Sequence, residues 1–278
     1  MKKIFNLLSI FIFTIFLTPL ANAIFTQEQV DDIVSAKAEE IYNLINTNWA
    51  YPQTDEAFYI ESEFWRPMLM PSHATLKLKD PQCDIITAFR ELPIKSARLE
   101  CMVAVKLVKI LCLLELLGDD KFNEWLQILP ETTGRHLSDP LFFHVIPDRF
   151  FVLEGNTGFY YITNHKMYTS IKPKGIGCGY NGFLFPTQQF ISFDPIHFKE
   201  SKSIEDVQHL LFNDIMSNEN VKNISLHTSL KNQYADDDGF NDFRLNCLEK
   251  NQKLQPIWRF SADKINAFIE KNVIPKNG

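Results

Sequence analysis

Among the residue types able to do covalent chemistry, cysteine is the one whose position carries information here. Cys101 falls in the first turns of a long apolar helical pattern running from Ser96 to Leu117. The unpaired N–H groups and the dipole of a helix N-terminus favour negative charge. A thiol placed there is expected to have a lowered pKa and to be a better nucleophile near neutral pH. Such a nucleophile needs a group that orients it and exchanges protons with it. The polar side chains downstream that offer themselves are His165, in Asn164-His165-Lys166, and then Asp194 and His197. Cysteine is also among the most buried residue types, so a plain core role competes with catalysis. Cys178 sits in Gly175-Ile176-Gly177-Cys178-Gly179. Glycines allow close backbone approach, but no helix follows that would make a phosphate site. A flexible loop is the simpler account of that stretch, and a pairing of Cys178 with Cys101 stays open.

The elements that would position these residues are legible from periodicity. Thr26 to Asn48 reads as an amphipathic helix, with Thr26 and Gln29 forming a capping box. Residues 49–80 read as irregular, punctuated by aromatics and prolines. Ser96 is expected to cap the long core helix and Gly118 to end it in the left-handed conformation. A second helix is expected from Asp119 to Leu129, stopped by Pro130. From Leu141 the character changes to short aromatic and β-branched runs: Phe142–Leu153, Gly158–Thr163, Gly182–Phe185 and Phe190–Phe193. Turn residues bound these runs, which is the signature of an antiparallel sheet. Helical patterns return at Ile204–Met216 and Ala262–Asn272. Asp236-Asp237-Asp238-Gly239 lacks the alternating spacing of a calcium loop and reads as an exposed turn. Helices, then a sheet, then helices predict an α+β fold.

Glu100-Cys101, the apolar helix behind it and the turn Leu117-Gly118-Asp119-Asp120-Lys121-Phe122-Asn123 together resemble the bacterial protein-glutamine γ-glutamyltransferases, the small transglutaminases of spore coats. In that family a Glu-Cys pair opens the helix and a Gly-(Glu/Asp)-Asp-Lys-Phe-Asn turn follows it. Tyr160-Tyr161-Ile162-Thr163-Asn164 and Gly179-Tyr180-Asn181 resemble the family's two strand motifs. The similarity covers residues 88–196. It implies a papain-like core at 88–200 in which a nucleophile helix packs on an antiparallel sheet. Residues 24–87 would then be an N-terminal helix with an irregular segment, and 201–278 a helical extension. The resemblance implies that a cysteine thiolate attacks a glutamine amide of a protein substrate, that ammonia leaves, and that a lysine amine or water resolves the thioester. No metal or organic cofactor is expected. Cys101 matches the nucleophile and Glu100 its neighbouring glutamate.

Two departures from the family pattern bear on that expectation. Tyr180 stands where the family has its partner carboxylate. The family's histidine has no counterpart in Phe190-Ile191-Ser192-Phe193-Asp194. Tyr180 would serve as a hydrogen-bond donor rather than a base, since an unperturbed phenol titrates near about 10. Asn181 would orient a partner as in Cys-His-Asn sites. His165 and Asp194 are the substitutes for the missing groups. Two rivals therefore stand beside the acyltransferase: a catalytically silent relative that binds a protein, and a cell-wall peptide hydrolase on the same fold.

Composition narrows the setting. Lys2-Lys3, the apolar run Ile4–Leu17 and Ala21-Asn22-Ala23 form the pattern of a cleavable export signal, so residues 1–23 read as a signal peptide for periplasmic or secreted delivery. The apolar run is shorter than the roughly 20 residues a membrane span needs. Losing Lys2 and Lys3 takes the net charge from −6 to −8, which suits neither nucleic acid nor an anionic membrane surface. Five cysteines, an odd number, leave at least one unpaired within a single chain. No Cys-x-x-Cys pair is present to suggest zinc or dithiol redox chemistry.

Overall fold

A computed structural model describes residues 25–51, 57–69, 74–80, 82–128, 148–173, 177–249 and 257–271. The signal-peptide expectation lies outside these residues, as does the strand expected over 142–147. Helix α1 spans Gln27–Asn48. Thr26 accepts from the Gln29 amide while the Gln29 side chain accepts from the Thr26 amide, so the capping box forms. One stripe of α1 (Val30, Val34, Ala38, Ile41, Tyr42, Ile45) is buried against the central helix of the molecule.

The segment read as irregular contains short strands: β1 Trp49–Ala50, β2 Tyr59–Ile60, and a hairpin of β3 Trp65–Leu69 with β4 Ala74–Leu78. Helix α2 follows at Ile85–Glu91, and then β5 at Ala97–Arg98. Strand β5 lies between β1, to which it is parallel, and β2, to which it is antiparallel. That pairing corrects the expected start of the central helix. Ser96 is held in the extended segment, its carbonyl accepting from Glu61 N–H at 2.9 Å. Glu100, still extended at φ −64°, ψ 140°, is the N-cap, and its side chain makes no capping hydrogen bond.

Helix α3 spans Cys101–Gln127 and is broken at Gly118, where φ is 69° and ψ 169°. The two helical stretches expected on either side of that glycine are both present, but its ψ of 169° is extended rather than left-handed helical as expected. The first carries the densest part of the core, from Val103 to Leu117, so that even Lys106 and Lys109 are buried. The second anchors through Phe122 and Trp125, tilted against each other, with Phe122 edge to face on Phe89 and Trp125 edge to face on Phe150.

Four strands form an antiparallel meander in the order β10-β9-β8-β7: β7 Gly158–Thr163, β8 Gly179–Leu184, β9 Gln189–Ser192 and β10 Lys202–Ser203. Alternation of side chains along a strand gives this sheet two apolar faces. Phe159, Phe183 and Ile191 join the core around α3. Tyr160, Ile162, Leu184 and Phe190 pack on the other side against Val207 and Leu211. Those two residues belong to helix α5, Ile204–Met216, which matches its expected bounds. Between β7 and β8 lies the one-turn helix α4, Tyr168–Ile171. Helices α6 Ile224–Gln233 and α7 Gly239–Arg244 close a third cluster with Tyr168, Ile171 and Ile215. The C-terminal part returns to the main core. Strand β11 Arg259–Phe260 pairs with β6 Phe151–Val152, and helix α8, Ala262–Lys271, buries Ala262 and Ile265 beside α1 and α3. Arg259 also forms an ion pair with Asp31 of α1. The fold is therefore α+β, with small, mostly antiparallel sheets among helices.

Candidate active site around Cys101

Cys101 is the first residue of α3, and its side chain is packed against the main core. Burial pushes its thiol up to about 11; the neighbouring Glu100 carboxylate and then Cys178 add to the rise. The backbone amides of Met102 and Cys101 pull the other way, but they do not win. The helix N-terminus therefore acts in the expected direction while the net outcome is opposite to expectation. Desolvation of a thiolate outweighs a pair of backbone dipoles at this depth. At neutral pH the protonated thiol therefore predominates.

Two tyrosines flank Glu100 and Cys178. The Tyr51 hydroxyl donates to Glu100 Oε2 at 3.3 Å. Burial holds that phenol well above its ordinary range, with Glu100, Cys101 and Cys178 adding to the effect. The Tyr161 hydroxyl, on β7, donates to the Cys178 carbonyl at 3.3 Å and lies 3.9 Å from its Sγ. Tyr161 is raised in the same way, chiefly by burial and then by Cys178, with Cys101 also contributing. The Tyr161 ring lies over Gly179, where a Cβ would come within 2.7 Å of its Cζ and hydroxyl. Glycine at that position is what admits the ring. A third phenol, Tyr42 of α1, is fully buried with Cys101 and Cys112 as its electrostatic neighbours, and its hydroxyl has no hydrogen-bond partner among the described residues.

The sequence-derived partners are distributed unevenly around this centre. Asn181 is paired in register with Tyr161 and lies on the strand face that also carries Phe183, the face toward α3. Its carbonyl accepts from the Ser192 hydroxyl at 2.6 Å. Tyr180 lies on the opposite face. It packs edge to face on Phe198 at 5.0 Å, in the cluster that contains α5. Asp194 accepts from the Ile196 and His197 amides through Oδ1, and its Oδ2 is 2.7 Å from His197 Nδ1. The resulting Asp194–His197 pair lies beside Tyr180 rather than on the Cys101 face. His165 is buried. Its Nδ1 accepts from the Met167 amide at 3.3 Å, and its ring stacks on Phe243 with Tyr234 at its edge. Burial, helped by Lys166, lowers its pKa and favours the neutral ring. The described ring contacts of His165 lie in the third cluster.

Of the residues singled out from the sequence, Cys101, Glu100 and Asn181 therefore share one side of the sheet. His165, Tyr180 and Asp194 are committed elsewhere. Tyr51 and Tyr161, which bond Glu100 and the Cys178 carbonyl, were not singled out from the sequence. Tyr161 stands within a strand motif that carries a signal, whereas nothing near Tyr51 in the sequence points to α3. Among the described residues no group of three or more His, Cys, Asp or Glu is placed to hold a metal ion, and no helix is long and apolar enough to cross a membrane. Comparison with known proteins gives no match, whether to a protein-family model, a curated protein or a solved structure.

Proposed function

We propose that this chain is an exported thiol acyltransferase of the protein-glutamine γ-glutamyltransferase type, on a papain-like core, with Cys101 as the nucleophile. The observation that carries the reading is Cys101 at the first position of α3, flanked by Glu100, on a helix that packs against β8. A neutral resting thiol is compatible with this chemistry. Thiol and primary amide give thioester and ammonia, and the thiol proton is the one the departing ammonia needs. In the second half-reaction a lysine amine, or water, displaces the thiol from the acyl carbon, and the thiol regains its proton. Glu100, held by Tyr51, is the group adjacent to the sulfur that can relay that proton. The Met102 and Cys101 amides favour the negative charge that develops on sulfur. Asn181 and the Tyr161 hydroxyl are the polar groups on the same face for orienting the amide. The partner is a protein with an accessible glutamine.

A second reading, a catalytically silent relative that binds a protein, is favoured by one specific observation. The thiol is pushed up to about 11 while Tyr180, at the family's carboxylate position, turns to the far face. Amine incorporation into a glutamine-rich protein, compared between the native chain and Cys101→Ala, separates the two readings.

A further inference from the structure

Cys178 is exposed and Cys101 is half-buried, and both are free thiols. Helix α3 packs on β8, and Cys178 immediately precedes β8. Tyr51 and Tyr161 each lie within electrostatic reach of both sulfurs. The backbone around Cys178 is held from several sides. The buried Asn164 side chain donates to the Gly177 carbonyl at 2.7 Å. The Asn164 amide donates to the Cys178 carbonyl at 2.9 Å, joined there by the Tyr161 hydroxyl at 3.3 Å. The Gly177 amide donates to Tyr168 Oη at 2.9 Å. Gly177 and Cys178 are thereby fixed at the entry of β8. Trp49, paired with Ala97 just ahead of α3, packs edge to face on Phe193, which follows Ser192, the partner of Gly182 in β8, so the start of α3 and β8 lie in one neighbourhood.

The other cysteines are placed apart from this pair. Cys112 is eleven residues along the helix from Cys101, about 16 Å at helical rise, and its thiol faces the Val34 carbonyl. Cys247 is buried in the third cluster. Cys83 lies beside Asp80 and Asp84, just ahead of α2.

We propose that Cys101 and Cys178 are a redox-sensitive modification site that forms a reversible disulfide with hydrogen peroxide as oxidant. The Cys178 sulfur, the one solvent reaches, attacks the peroxide; the O–O bond breaks, Cys178 becomes a sulfenic acid and water leaves. The Cys101 sulfur then attacks the Cys178 sulfur, the S–O bond breaks, and the thiol proton leaves with hydroxide as a second water. Two thiols lose two electrons and one peroxide gains them. A dithiol reductant reverses the change. The inference goes beyond the acyltransferase reading and stands without it.

The test is a peptide map of the reduced native chain after brief hydrogen peroxide treatment, alkylation in denaturant and trypsin digestion without reductant. The expected product joins the peptide starting at Leu99 to the peptide starting at Gly175, two hydrogens lighter than their sum and split by dithiothreitol. Its yield should exceed several-fold that from the same chain oxidised while unfolded, which sets the level of random pairing. In Cys178→Ser, Cys101 should remain alkylatable after peroxide. A disulfide brings Cα atoms to about 5.5–6 Å, so the bridge also reports their separation. Cys178 found as sulfinic acid with Cys101 still alkylated, or Cys101 joined to another cysteine, overturns the proposal. Because the readout is a covalent mass, its failure is distinct from a failure of amine transfer.

Discussion

The Tyr51 hydroxyl, just beyond β1, donates a hydrogen bond to the carboxylate of Glu100, the residue that caps α3 ahead of Cys101. This contact holds a carboxylate beside a half-buried thiol, and the carboxylate raises the thiol. Glu100→Gln removes that charge and should lower the Cys101 value from about 11. The value should stay above the ordinary thiol value of about 8.5, because burial is the larger cause. The pH dependence of iodoacetamide labelling at Cys101 checks this. An unchanged midpoint would mean that Glu100 does not act on the sulfur.

The same thiol makes stability depend on pH. Its folded value, about 11, lies above that of an unfolded cysteine, so the folded chain holds the proton more tightly. The stability linked to it is fully present below pH about 8.5 and is lost as pH rises through about 11. The loss is on the order of 3 kcal/mol. Other buried thiols and phenols add to it with the same sign, so the difference between the native chain and Cys101→Ala isolates this group. Urea denaturation from pH 8 to 11 should show a shallower fall for Cys101→Ala.

Gly118 breaks α3 at φ 69°, ψ 169°, in a region that residues with a Cβ rarely occupy. A Cβ there would meet nothing within 4 Å, so Gly118→Ala probes the backbone alone. It should cost about 1–3 kcal/mol, read as a lower urea midpoint. No change would mean that the helix can run through this position without strain.

The buried Tyr42 hydroxyl has no partner among the described residues, and an unsatisfied buried polar group costs about 1–3 kcal/mol. Tyr42→Phe keeps the ring and removes that cost, so it should raise stability by roughly 1 kcal/mol. A clear loss of stability would mean that the hydroxyl has an acceptor, such as a buried water linking it to Cys101.

Local signals in the sequence were reliable wherever one element decides its own shape. The Thr26–Gln29 capping box, the Gly118 break, β7 at Gly158–Thr163 and α5 at Ile204–Met216 all follow from capping, turn chemistry and periodicity. Ser96 misled because the start of α3 is set at long range: β1 and β2 take Ala97–Arg98 into a sheet before the helix can begin. The place of Glu100 and Cys101 at the start of α3 was legible for the same local reason. Tyr180 and Asn181 are adjacent in one strand and so face opposite ways, and which of them meets α3 is fixed by where Phe183 packs. His165 was attractive as a loop histidine, but Tyr234 and Phe243, distant in sequence, fill the space around its ring. The rise in the Cys101 pKa reflects burial by the surrounding core, which is tertiary information.

The most direct test of the central claim is incorporation of a labelled primary amine into a glutamine-containing acceptor protein, with ammonia release followed in parallel. The native chain should transfer amine and release ammonia together, and Cys101→Ala should abolish both. Tyr180→Phe, on the far face of the sheet, should leave the rate within about two-fold, well short of the 10²–10⁴-fold typical of a general acid or base. Absence of both amine transfer and ammonia release across a broad panel of glutamine proteins, or equal activity in Cys101→Ala, would contradict the account.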